Sequence, residues 1–116
     1  MTQAALLQAE FVRTLRDNID VTQRLYRLAV AVNYCYSYDD EGEPLYGSTN
    51  YVVVSHAHNA FARETMVFPA TAEGTILNWL ELAVNFAPED DAPVLAKLGF
   101  RTTPVRQFDP TDQDPT

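Results

Sequence analysis

His56-Ala57-His58 sets two imidazoles two residues apart, and five residues separate His58 from Glu64. Neighbours two apart on a β-strand point to one face, so the pair can offer two nitrogen donors to a divalent transition metal, with Glu64 completing a facial triad. The competing reading puts both histidines on the solvent side of a strand and Glu64 on the next strand. Cys35 is the one cysteine, which excludes an internal disulfide. No basic neighbour in sequence activates its thiol, so a buried structural role outweighs a Cys35–His56 dyad. Tyr34, Tyr36 and Tyr38, with Tyr46 and Tyr51 close by, can form an aromatic platform for a base or a peptide at the mouth of an acidic loop. Arg101 and Arg106, with Arg24 and Arg27, are half of the eight Lys and Arg and offer positive charge to an anionic small ligand. The four glycines form neither a nucleotide-binding nor a phosphate-cradling loop, and the spacing suggests no Ser-His-acid triad.

These residues must be positioned by a small set of elements. Every even position from Tyr26 to Tyr38 is large and apolar or aromatic, while the odd ones are mostly small or polar, which is the period of a strand with one buried face. Leu7, Phe11 and Leu15 recur at helical spacing, so the sequence predicts an amphipathic helix from Thr2 to about Asp17, ended by Asp17, Asn18 and Asp20. Residues 39–50 carry four acids, two glycines and a proline and read as a long loop. Strands are expected from Tyr51 to about His58 and from Glu64 to Ala70, with Pro69 at a strand end or on an edge. Thr75 to Phe86 reads as a short helical or irregular segment with Trp79 buried, with a strand from Thr75 followed by a helical turn equally open on propensity. Asp91 as an N-cap, Pro93, Lys97 and Gly99 mark a short helix near residues 92–98, and Phe100 to Phe108 suggests a last strand.

The expected fold is therefore α+β: an N-terminal amphipathic helix on a small, mainly antiparallel sheet of three to four strands, plus a short C-terminal helix. With 116 residues and 47% hydrophobic content, residues 1–108 form one domain, and 109–116 form an acidic, proline-containing, disordered tail. The absence of a signal-like N-terminus and of a disulfide points to the cytoplasm. A formal charge of −8 disfavours direct nucleic-acid binding and anionic membranes. No apolar run is long enough to span a bilayer.

Two family resemblances bear on function. The run HAHNAFARE, residues 56–64, looks like the first metal motif of the cupins, with a longer spacing before Glu64 and no later histidine to supply a third imidazole. The order VTQRLYRL, YVVVSHA, ETMVFPATAEGTILNWLEL and APVLAKLGF, spanning roughly Gln23 to Phe100, resembles small accessory proteins of tailed bacteriophages and their bacterial hosts. Its most specific parts are Glu64-Thr65, Phe68-Pro69-Ala70, Gly74, and Trp79 with Glu81-Leu82. The resemblance implies Phe68 and Trp79 as core anchors and Gly74 in a glycine-favouring conformation. It includes neither the His56–His58 pair nor the N-terminal helix, and it implies no catalytic residue.

The functional expectation is a phage-derived binding protein, not an enzyme and without cofactor. It would engage a host protein, for instance a defence component, through Tyr34, Tyr36, Tyr38, Asp39, Asp40 and Glu41. An alternative is a nucleotide-signal binder that uses Tyr36 and Tyr38 for the base and Arg101 or Arg106 for the phosphate. A second alternative is a cupin-like metalloprotein using His56, His58 and Glu64. An amphipathic helix and an exposed edge strand would both offer surfaces for a homodimer.

Overall fold

The computed structural model describes residues 6–57, 64–85 and 91–102. The protein is mainly β. Strands β1 (Leu7–Asp17), β2 (Val21–Tyr38), β3 (Pro44–Ala57), β4 (Thr65–Ala70) and β5 (Ala83–Asn85) form an antiparallel meander. Helix α1 (Asp91–Lys97) then leads to β6 (Phe100–Thr102), which pairs in parallel with β1, so the sheet order is β5-β4-β3-β2-β1-β6.

The expected N-terminal helix is a strand over Leu7–Asp17. A spacing of four fits a helix turn, but it is also a multiple of the strand period. Pairing decides the matter: β1 runs along β2 from Ala9↔Leu28 to Asp17↔Thr22, with register shifts at Phe11/Arg13 and Thr14/Arg16. These bulges carry Phe11 and Leu15 to opposite faces of the sheet, Phe11 against the cluster of Tyr26, Val52 and Val54, and Leu15 against that of Leu25, Val53 and Ala70. Among the described residues the fold is thus a six-stranded sheet with one short helix, in place of a helix laid on three to four strands.

The predicted loop at 39–50 shrinks to the tip of a hairpin, because β3 begins at Pro44. Asp39 closes that tip: its carboxylate accepts from the backbone N–H of Glu41 at 2.9 Å and of Glu43 at 2.8 Å, and Gly42 adopts a φ of 84°. The rest of the acidic segment extends as strand because it pairs with β2 from Tyr38↔Pro44 to Val32↔Thr49.

Arg24, Tyr26 and Leu28 on β2, Val52, Val54 and His56 on β3, and Thr65 and Val67 on β4 share one face through the pairs Arg24↔Val54, Tyr26↔Val52 and Thr65↔His56. Helix α1 covers this face with Val94 and Leu95, both fully buried. Pro93 fits its first turn, and Gly99, at a φ of 95°, ends it with a hydrogen bond to Ala96 O. Over the other face the Thr71–Gly74 turn folds back so that Ile76 bridges Ala70 and packs by Leu25 and Val53. Trp79 is not a core anchor: it is 68% exposed, with its ring edge-on to the buried Phe68 at 5.1 Å.

Past Leu28 and Tyr51 the β2–β3 pair runs on without β1 or β4 beside it, since those pairings end at Ala9↔Leu28 and Tyr51↔Ala70. The molecule measures 63 × 42 × 30 Å, and this ribbon accounts for a length on the order of 25 Å at strand rise. The expected strand through residue 108 is described only as far as Thr102, and the expected 109–116 tail lies outside the described residues.

Candidate functional site

A buried polar network gathers where α1 meets the sheet. Asp91, in the first turn of the helix, accepts a hydrogen bond on Oδ1 from Arg24 Nη1 at 2.9 Å and one on Oδ2 from the Tyr26 hydroxyl. His56 Nε2 sits on the same Oδ1, and Thr65 Oγ1 lies 2.8 Å from His56 Nδ1. The simplest proton inventory has Nε2–H donating to Asp91 and the Thr65 hydroxyl donating to Nδ1. Thr102 on β6 also hydrogen-bonds the Tyr26 phenol, so β2 and β3 reach the carboxylate directly while β4 and β6 hold its partners.

The electrostatics follow from burial and partners. Desolvation pushes the Asp91 carboxyl up, but the hydrogen bonds from His56 and Tyr26 and the Arg24 charge outweigh it and hold the group below its ordinary value. Burial, with the Asp91 charge and its hydrogen bond next, raises the Tyr26 phenol far beyond the usual range for tyrosine. The order hydroxyl, imidazole, carboxylate is that of a hydrolytic triad. Accessibility argues against that use: Thr65 is 1% exposed, His56 3% and Asp91 7%, so no substrate carbonyl can approach the hydroxyl without moving α1.

This network relocates one expected site residue and adds others. His56 faces the core, with both ring nitrogens engaged, so a metal on it requires breaking two hydrogen bonds. His58 lies outside the described residues, and Glu64 spends its backbone carbonyl on Ala57 N–H at 2.8 Å. Among the described residues no cluster of three potential ligands is assembled. Asp91, Arg24 and Tyr26 were not legible as partners of His56. Asp91 had a complete explanation as a helix cap, and only its position before an apolar pair, Val94-Leu95, hints that it is drawn under the helix.

The ribbon carries the other residues. Tyr34 opposes Gly47 while Tyr38 opposes Pro44, with an extra residue, Tyr36, at the shift between Cys35 and Ser37. Three positions separate Pro44 from Gly47 on β3, so Tyr34 and Tyr38 lie on opposite faces. Tyr34 lies over Gly47, where an added Cβ would meet the ring at 2.8 Å, and its ring centroid is 6.4 Å from that of Tyr36. Tyr38 shares its side with Tyr46 and Cys35; the Cys35 hydrogen bond and charge, then burial and Tyr46, raise its phenol. Tyr36, Tyr38 and Tyr46 are 53%, 65% and 62% exposed. Asp40 and Glu41 are exposed at the tip, beside the turn-closing Asp39.

Cys35 opposes Tyr46, ten residues along β3 from His56, roughly 30 Å at strand rise, so the two form no dyad. Arg101 is exposed on β6 opposite Gln8, two strands away from β2 and level with its middle, since the next residue of β1, Ala9, pairs with Leu28, ten positions before Tyr38. Tyr36 and Tyr38 therefore do not share a ligand with Arg101, and Arg106 lies outside the described residues. No helix among the described residues is long and apolar enough to cross a membrane. No family model matches the chain, and no curated protein or solved structure is significantly similar to it.

Proposed function

We propose that the chain is a non-enzymatic binding protein whose β2–β3 ribbon engages a partner protein, in the setting of a phage accessory factor acting on a host protein in the cytoplasm. The single observation that carries the reading is the projecting ribbon itself, with Tyr38 and Tyr46 exposed on one side and Asp40 and Glu41 at the end. Between Leu28 and Ala57 there are four acids and no Lys or Arg, so the ribbon favours a basic partner surface. Exposed tyrosines on a stiff support supply contact area at low entropic cost. The closed Asp91 network serves stability in this reading, holding α1 on the sheet. A host defence component is the class of target that the resemblance to phage proteins suggests.

The test is capture from the host with the wild-type chain and with the doubly substituted Asp40→Lys, Glu41→Lys chain, followed by reconstitution with the purified partner. A stoichiometric complex with the wild type, weakened at least tenfold by the substitutions and further by salt, supports the reading. A complex indifferent to both sets the ribbon aside.

A further inference from the structure

Among the described residues, one edge of the ribbon is unguarded. Exposed strand edges in folded proteins are usually blunted by lysine, proline, bulges or covering segments. On β2 such devices are present: the register shifts between Arg27 and Val32 and between Cys35 and Ser37 both place extra residues on β2, and the Asn78 amide reaches the Cys35 carbonyl at 3.3 Å. Among the described residues, β3 has none of these from Leu45 to Asn50. It contributes no extra residue to either shift, has no lysine there, and keeps its proline at its first position, Pro44.

The neighbouring ladder is also brought to a stop. Thr49 Oγ1 accepts the Tyr51 N–H at 3.1 Å and donates to Ala70 O at 2.7 Å, so one hydroxyl caps the end of the β3–β4 pairing. Beyond it, among the described residues, no strand pairs with β3 on that side. A two-stranded ribbon is marginal alone, yet this one is braced by Tyr34 over Gly47, by Asn78 on Cys35 and by the Asp39 cap at the tip.

Resting on the reading above, we infer that the open edge of β3, from Leu45 to Asn50, takes an extended, Lys- or Arg-bearing segment of the partner protein as an added strand. Main-chain hydrogen bonds supply affinity in this mode, and side chains on alternate positions supply selectivity. The cations of the incoming strand would lie beside the exposed Tyr46 and near Asp40, Glu41 and Glu43 at the tip, with no positive residue on the ribbon to repel them.

The probe is a blocked peptide of alternating lysine and threonine, compared with one in which proline replaces every threonine; the two have equal charge, but only the first can pair fully as a strand. Amide hydrogen exchange is followed on the full chain. The lysine–threonine peptide is expected to slow alternate amides between residues 45 and 50 by about tenfold, with no such effect from the proline peptide. Equal effects from both peptides, protection on β2 instead, or no protection at millimolar peptide overturns strand addition. The last result, alongside a host complex that remains sensitive to Asp40→Lys and Glu41→Lys, overturns the docking mode and leaves the binding reading standing. Loss of that sensitivity removes the binding reading itself.

Discussion

The Asp91 carboxylate and the His56 imidazole are hydrogen-bonded partners inside the core, one from a helix and the other from a central strand, thirty-five residues apart in the chain. Tyr26 and Arg24 close on the same carboxylate, and no buried side-chain polar atom among the described residues lacks a partner. A network satisfied to that degree is worth more intact than in pieces.

Asp91→Asn removes the charge that Arg24 faces and mismatches at least one donor, and it should cost about 3 kcal/mol. Tyr26→Phe should cost about 1–2 kcal/mol, and the double variant less than the sum, because both break the same bond. Urea unfolding of the four proteins of the cycle measures this; strict additivity would show that the two side chains act independently.

Acid should expose the same carboxylate. The folded pKa of Asp91 lies below its ordinary 3.8, so on acidification the unfolded chain takes up this proton first. The stability it contributes is present above the ordinary value and lost as pH falls through the folded one. The difference in urea midpoint between wild type and Asp91→Asn should therefore hold from neutral pH to about pH 5 and shrink below about pH 4. A difference that stays constant to pH 2 would contradict the assignment.

Gly74 and Gly47 make a contrasting pair. Gly74 has a φ of 95°, and a Cβ there would lie 2.6 Å from Leu15 Cδ2 under β1, so Gly74→Ala should destabilise the whole fold by about 2 kcal/mol. Gly47 has no such backbone constraint; its added methyl meets only the Tyr34 ring. Gly47→Ala should leave the global midpoint within about 1 kcal/mol while speeding amide exchange along the ribbon. Equal global losses for both would mean that the ribbon unfolds together with the body.

Trp79 gives an optical check. At 68% exposure it should emit as a solvated indole, be quenched readily by iodide, and tolerate Trp79→Ala with a loss below about 1 kcal/mol, chiefly its edge contact with Phe68. A blue-shifted, protected emission would place the indole in the core after all.

Local signals in the sequence were legible where one strand period ran undisturbed. Tyr26 and Leu28 lie buried on one face as their alternation implies, and the Val52-Val53-Val54 run is buried on both faces because the sheet is covered on both. The pattern misled where bulges reset it: Phe11 and Leu15 read as one helical stripe and fold onto two faces of a strand, and Tyr34 and Tyr38 read as one platform and part across the ribbon. Composition misled at residues 44–50, since proline, glycine and polar residues describe a loop until β2 is there to pair with them. The Asp91 network was out of reach because nothing local links residue 91 to 24, 26, 56 and 65; only the meander brings those positions to one face.

The parallel contact of β6 with β1 sets an order of assembly. Leu7 pairs with Phe100, so the first of the described strands to be synthesised gains its outer neighbour from the last of them. The meander from β1 to β4 can zip by short-range hairpins, whereas the Leu7↔Phe100 contact closes a loop spanning most of the chain and is entropically dear until α1 has docked. During translation, therefore, the Leu7 edge of the nascent sheet stands open until α1 and β6 leave the ribosome, and Asp91 is the residue whose arrival begins its closure.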